Sequence, residues 1–173
     1  MKSNIALIGF MGVGKTETGK VLAGRLGKRF VETDALIEKR AGKPIPEIFR
    51  GDGEITFREL EIEVLREVAG GGNQVIACGG GVVLNKINID RLKKDSAVVC
   101  LTASPEVILK RITGGDRPLL AVADPALAIR ELLGFRQPLY ERAADIKIDT
   151  SEMDIDFVVA EIVSRVKQDE GLS

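Results

Sequence analysis

Short runs of β-branched and other apolar residues recur along the chain at positions 5–8, 30–31, 75–77, 97–101 and 146–148. Each is short and β-rich, as the apolar centre of a strand would be, and the longer stretches between them carry helical patterning. Strands that alternate with helices predict a parallel sheet covered on both faces, an α/β fold in three layers. The clearest helix is the last, where Ile155, Val158, Val159, Ile162, Val163 and Val166 follow the spacing of one face and Asp154 can cap the start. A second helix is expected over 56–69, with Phe57, Leu60, Val64, Leu65 and Val68 turned inward and Gly70, Gly71 and Gly72 stopping it. That places Glu54, Arg58 and Glu61 on its other side.

Two stretches interrupt the alternation. One, about 33–53, is helical but carries Pro44 and Pro46; the other, 113–120, is rich in glycine and lies between helices. We read the first, extended to about 61, as a substrate-binding insert and the second, about 112–124, as a lid over a site. Both belong to one domain spanning 1–173.

Composition narrows the chemistry. The 173 residues suffice for one real core. With 25 basic and 26 acidic side chains there is no global field to gather nucleic acid or an anionic membrane, so any anionic ligand must be held locally. The first apolar run is too short for a signal-peptide core or a spanning helix, and a cytoplasmic protein is the expectation. Cys78 and Cys100 end strand-like runs without metal-ligand spacing and read as buried reduced thiols. Histidine is absent, which removes Ser-His triads and His-based zinc sites and leaves carboxylates, Lys, Arg and backbone groups to do the work.

The strongest local signal is Gly9-Phe10-Met11-Gly12-Val13-Gly14-Lys15-Thr16, a GxxxxGK[ST] phosphate loop directly after the first strand and before a helix expected over 15–26. Its glycines let successive N–H groups point at a phosphate, and the helix N-terminus adds partial positive charge. Gly12, Val13, Gly14, Lys15, Thr16 and Glu17 are therefore ATP-binding candidates, with Lys15 on the β- and γ-phosphates and Thr16 a ligand of Mg²⁺. Holding phosphates is not transferring one, so a nucleotide-state switch or motor is the rival class. A guanine-reading Asn-Lys-x-Asp motif is not met by Asn85-Lys86-Ile87-Asn88, which reads as a helix start capped by Asn85. The third strand runs into Gly79-Gly80-Gly81 at the carboxyl end of the sheet, where ligands of open α/β folds bind. It carries no Walker B Asp.

The whole chain resembles the shikimate kinases. The resemblance rests on the phosphate loop, Glu32-Thr33-Asp34, Arg58-x-x-Glu61 followed by the strand and Gly79-Gly80-Gly81, Arg117-Pro118-Leu119-Leu120, and Arg136-x-Pro138-Leu139-Tyr140. It implies a P-loop kinase fold with a five-stranded parallel sheet of order 2-3-1-4-5, and transfer of the ATP γ-phosphoryl group to the 3-hydroxyl of shikimate in aromatic amino-acid biosynthesis. It also implies catalytic roles for Lys15, Asp34 and Arg117, and a nucleotide contact from Arg111. Substrate contacts would come from Asp34, Arg58, Gly80, Gly81 and Arg136, with Ile45, Phe49, Phe57, Pro118 and Leu119 as an apolar wall. Glu61 would orient Arg58. Mg²⁺ would be held by Thr16 and Glu32, directly or through water; the family usually has Asp where Glu32 stands, and can have Pro where Ile155 stands. The expected partners are ATP and shikimate alone, with no nucleic acid, no membrane and a monomeric protein. A gluconate- or nucleotide-type kinase on the same scaffold is the alternative.

Overall fold

β-Branched runs flanked by helices fold as strands because both of their faces can be covered, and the computed structural model, which describes residues 2–112 and 123–170, shows this arrangement. The elements are β1 (Asn4–Ile8), α1 (Lys15–Leu26), β2 (Arg29–Glu32), α2 (Thr33–Ala41), α3 (Ile45–Gly51), α4 (Gly53–Ala69) and β3 (Gln74–Ala77). A 3₁₀ turn (Val82–Leu84) precedes α5 (Lys86–Asp95), β4 (Ser96–Thr102), α6 (Pro105–Ile112), α7 (Pro125–Ala143), β5 (Ile146–Asp149) and α8 (Ile155–Asp169). The strands form one parallel sheet of order β2-β3-β1-β4-β5. Helix α1 packs on β3 and α8, whereas α4 packs on α5 and α7 lies against β4 and the 3₁₀ turn.

The core sits on the middle strands. Every residue of β1 is buried, as are all but the last of β4, while β5 at the edge alternates buried and exposed. Cys78 and Cys100 are buried and unbridged; burial pushes the Cys100 thiol up to about 11 and that of Cys78 higher still. No helix among the described residues is long and apolar enough to cross a membrane.

Several expected boundaries move. Helix α4 starts at Gly53, three residues before the expected start at 56. The segment 33–53 divides into α2 and α3 at Gly42, whose φ of 71° ends α2, and Pro46 enters the first turn of α3, where its missing N–H costs nothing. Asp154 caps α8 as expected, accepting from the Phe157 N–H at 2.9 Å. Asn85 occupies the N-cap of α5, yet its side chain makes no capping bond.

Candidate active site

The carboxyl end of β1 opens into the glycine-rich loop. Gly12 and Gly14 take φ of 80° and 93°, a region that a Cβ makes costly, so the loop can curl only with glycine there. Gly14 is the N-cap of α1 and contributes no side chain, which leaves the first-turn N–H groups directed at the loop. The Lys15 ammonium donates to the Gly9 and Phe10 carbonyls at 2.6 and 3.0 Å. Gly12, Gly14, Lys15, Thr16 and Glu17 line one depression together with Glu32, Asp34, Gly79 and Gly80. Val13 does not line it; its side chain is buried and its carbonyl accepts from the Thr150 hydroxyl at 3.0 Å.

Glu32 ends β2 and Asp34 stands in the first turn of α2, so the strand-to-helix step brings both carboxylates to the lysine. With the Thr16 hydroxyl they offer a few hard oxygen donors, and among the described residues no group of three His, Cys, Asp or Glu side chains forms. Such a set is too sparse for a dehydrated ion in a protein cage. It fits Mg²⁺, which keeps most of its water and shares phosphate oxygens.

A second depression adjoins the first, lined by Met11, Asp34, Ile45, Phe49, Phe57, Arg58, Glu61, Gly79, Gly80, Gly81 and Arg136. Phe49 from α3 and Phe57 from α4 meet at 4.8 Å between ring centroids and form an apolar wall. Arg58 lies over the Phe57 ring at 4.9 Å and donates to Glu61 Oε1 at 3.1 Å and Glu54 Oε1 at 3.3 Å. Glu61 was expected on an outer face of its helix, but its side chain is 0% exposed. The reason is that α4 is covered from several sides, by α2, α3 and α5. Burial raises the Glu61 carboxyl to about 7, against the lowering effect of Arg58.

Arg136, on α7, is only 3% exposed and faces the Phe10 ring at 6.0 Å. Among the described residues it has no carboxylate partner, and its buried Nε has no hydrogen-bond acceptor. A dry guanidinium in that state is an anion site by its chemistry. Gly81 lies so close to Arg58 that an added Cβ would overlap the guanidinium, so backbone and arginine occupy one wall of the depression together.

Three residues without an assigned role in the sequence hold these parts in place. The Thr33 hydroxyl accepts from the Gly79 N–H at 3.1 Å and donates to the Ala77 carbonyl at 3.4 Å, tying α2 to the glycine turn. The Tyr140 hydroxyl donates to the Gly80 carbonyl at 2.5 Å. Thr150 bridges the Val13 and Thr102 carbonyls and accepts from Arg111 at 3.1 Å. Arg111 also donates to the Thr150 and Gly12 carbonyls at 2.9 and 3.3 Å, which clamps it to the rim of the phosphate loop. No local pattern marks these contacts, because each joins segments distant in sequence. Thr33 and Tyr140 stand inside the motifs Glu32-Thr33-Asp34 and Arg136-x-Pro138-Leu139-Tyr140, whereas Thr150 stands in none. Arg117, Pro118 and Leu119, with the rest of 113–122, lie outside the described residues.

The shikimate kinase family model matches residues 11–167. A shikimate kinase of Caldanaerobacter subterraneus subsp. tengcongensis is 50% identical over 161 residues, covering 92% of this chain and 94% of the relative. One from Pelotomaculum thermopropionicum is 46% identical over 166 residues, covering 95% and 96%. Among solved structures, the shikimate kinase of Acinetobacter baumannii in complex with shikimate superposes with a TM-score of 0.94 at 37% identity, covering 97% of this chain and 94% of that one.

Proposed function

This chain belongs to the shikimate kinase family, and on that premise we propose that its paired depressions carry out transfer of the γ-phosphoryl group of ATP to the 3-hydroxyl of shikimate. The observation that carries the acceptor half is the pair of arginines, Arg58 and Arg136, converging on one apolar-walled depression beside the phosphate loop. A small ring acid needs a bidentate donor for its carboxylate and an apolar surface for its ring, and the depression has both. The insert of about 33–61 supplies that wall and Asp34, and the segment of about 112–124 acts as the lid.

In the reaction the 3-hydroxyl oxygen bonds to Pγ while the bond from Pγ to the ADP oxygen breaks. Asp34 holds the hydroxyl and accepts its proton; Lys15 and Arg117 stabilise charge on the transferring group, and little more than positioning is asked of the protein. Gly12, Gly14, Thr16 and Glu17 surround the phosphates, Val13 contributing at most its backbone, and Arg111 would lie beside the base. Gly80 and Gly81 offer N–H groups to the acceptor. Mg²⁺ would be held by Thr16 and Glu32, directly or through water, and supplies charge neutralisation on the β- and γ-oxygens.

The same reading makes the protein a cytoplasmic monomer that acts on small molecules without nucleic acid or membrane. Size-exclusion chromatography with light scattering tests the monomer. A coupled ADP-release assay offering shikimate, gluconate and nucleoside monophosphates in parallel tests the acceptor: turnover with shikimate alone is expected. Turnover with another acceptor and none with shikimate overturns the assignment, and ATP hydrolysis indifferent to every acceptor supports a switch or motor instead.

A further inference from the structure

We propose that Tyr140 is a positioning residue for the acceptor, setting the direction of the Gly81 N–H and the guanidinium of Arg136 through one hydroxyl. The inference rests on the reading of Gly80, Gly81 and Arg136 as shikimate contacts. Tyr140 is 1% exposed and its hydroxyl donates to the Gly80 carbonyl at 2.5 Å. Arg136 lies one turn earlier on the same helix, and its positive charge bears on that hydroxyl.

The geometry of the peptide unit supplies the mechanism. In a trans peptide the C=O of one residue and the N–H of the next point in opposite directions, so the Gly80 carbonyl and the Gly81 N–H are the two ends of one rigid plane. Drawing the carbonyl onto α7 turns the Gly81 N–H the opposite way, and Gly81 itself lines the acceptor depression. Without a side chain on either residue, that plane could flip at little steric cost. The Tyr140 hydroxyl removes the alternative, because a flipped carbonyl would leave a buried donor unmatched.

Nearby contacts make the setting local to the cleft. A Cβ on Gly80 would lie 3.4 Å from the Met11 nitrogen and 3.7 Å from Arg136 Nη1, so this residue fits between the phosphate loop and the arginine. Both acceptor contacts, the Gly81 N–H and the Arg136 guanidinium, thus refer to one buried anchor. Gly80 lines the nucleotide depression as well, but Gly81 and Arg136 line the acceptor depression and not the nucleotide one.

Tyr140→Phe tests this, since it keeps the ring and removes only the hydroxyl. Binding of shikimate and of ADP is measured by calorimetry on the full chain, with steady-state KM and kcat alongside. Loss of one buried hydrogen bond predicts a roughly 3- to 10-fold weaker affinity and higher KM for shikimate, with ADP affinity unchanged. A buried methyl deletion in β5, Ile148→Val, serves as a control of comparable thermal loss and should leave the shikimate KM alone. If wild type binds shikimate and Tyr140→Phe binds it within 2-fold, the positioning role is refuted while the proposed function stands. If the wild-type protein does not bind shikimate, the functional reading itself has failed. A double-mutant cycle with Arg136→Ala adds a second measure: the two losses should be strongly non-additive, and simple additivity counts against a shared anchor.

Discussion

Replacing Glu61 by glutamine should abolish a large pH-dependent component of the stability of this protein. The carboxyl is fully buried and its pKa is raised from 4.5 to about 7, chiefly by desolvation. A raised folded-state value means that the protonated form is the one folding favours. Stability from this group is complete below pH 4.5, then lost as pH rises through about 7. The groups that face it are Arg58 and Arg136, which favour ionisation, and Asp34, which opposes it. At 1.36 kcal/mol per unit, the shift corresponds to about 3 kcal/mol, of which about 2–3 kcal/mol develops between roughly pH 5 and pH 8.5. Glutamine keeps the volume and cannot ionise. Urea unfolding followed by circular dichroism, run on both proteins at the two pH values, isolates the effect, because every other titrating group cancels in the difference. Glu61→Gln should gain about 2–3 kcal/mol relative to wild type on going from the acid to the alkaline condition. Equal pH slopes for the two proteins would falsify the assignment of a raised carboxyl to this position.

Lys15→Ala should lower turnover by more than about 100-fold while leaving the thermal midpoint close to wild type, because the ammonium bonds loop carbonyls at the edge of an open depression; kcat and a melting curve decide it, and near-normal turnover contradicts the role. Arg136→Ala should raise the shikimate KM by about 30-fold or more with little change for ATP, as expected when a buried charge-assisted donor is lost; equal losses for both ligands argue against an acceptor-carboxylate role. Gly81→Ala should displace the Arg58 guanidinium, which the new Cβ would overlap, and so weaken shikimate roughly 10-fold, again leaving ADP binding in place by calorimetry.

How much of this was legible beforehand depends on the range over which the information acts. The strands were visible because a doubly covered parallel sheet demands runs such as Ile5–Ile8 in which every side chain is apolar. Helix α1 was placed to the residue, since Gly14 and Gly27 both adopt the left-handed conformation that glycine favours. The burial of Glu61 was hidden: a one-dimensional pattern assigns a helix one inner face, and α4 has more than one. Pro138 is likewise misleading locally, for α7 continues through it although the pyrrolidine removes an intrahelical bond. The residues Thr33, Tyr140 and Thr150 act on carbonyls and N–H groups 44 to 137 positions away. No window of sequence contains both partners.

The two arginines of the acceptor depression are electrostatically unequal, and the difference divides their work. Arg58 is already matched by Glu61 and Glu54, so an incoming carboxylate must compete with a partner 3.1 Å away. That competition is softened by the Glu61 carboxyl itself, whose burial favours its protonated form when another anion arrives. Arg136 has no salt-bridge partner among the described residues and is drier, so its attraction for an anion is opposed by less water and by no carboxylate in direct contact. Arg136 is therefore the stronger anchor, and Arg58 an adjustable one whose charge Glu61 meters. On the proposed function, an acid bound between them would gain its affinity mainly from α7 and its orientation from α4, and the proposed role of the hydroxyl that ties α7 to the glycine turn would then bear on the acceptor more than on the nucleotide.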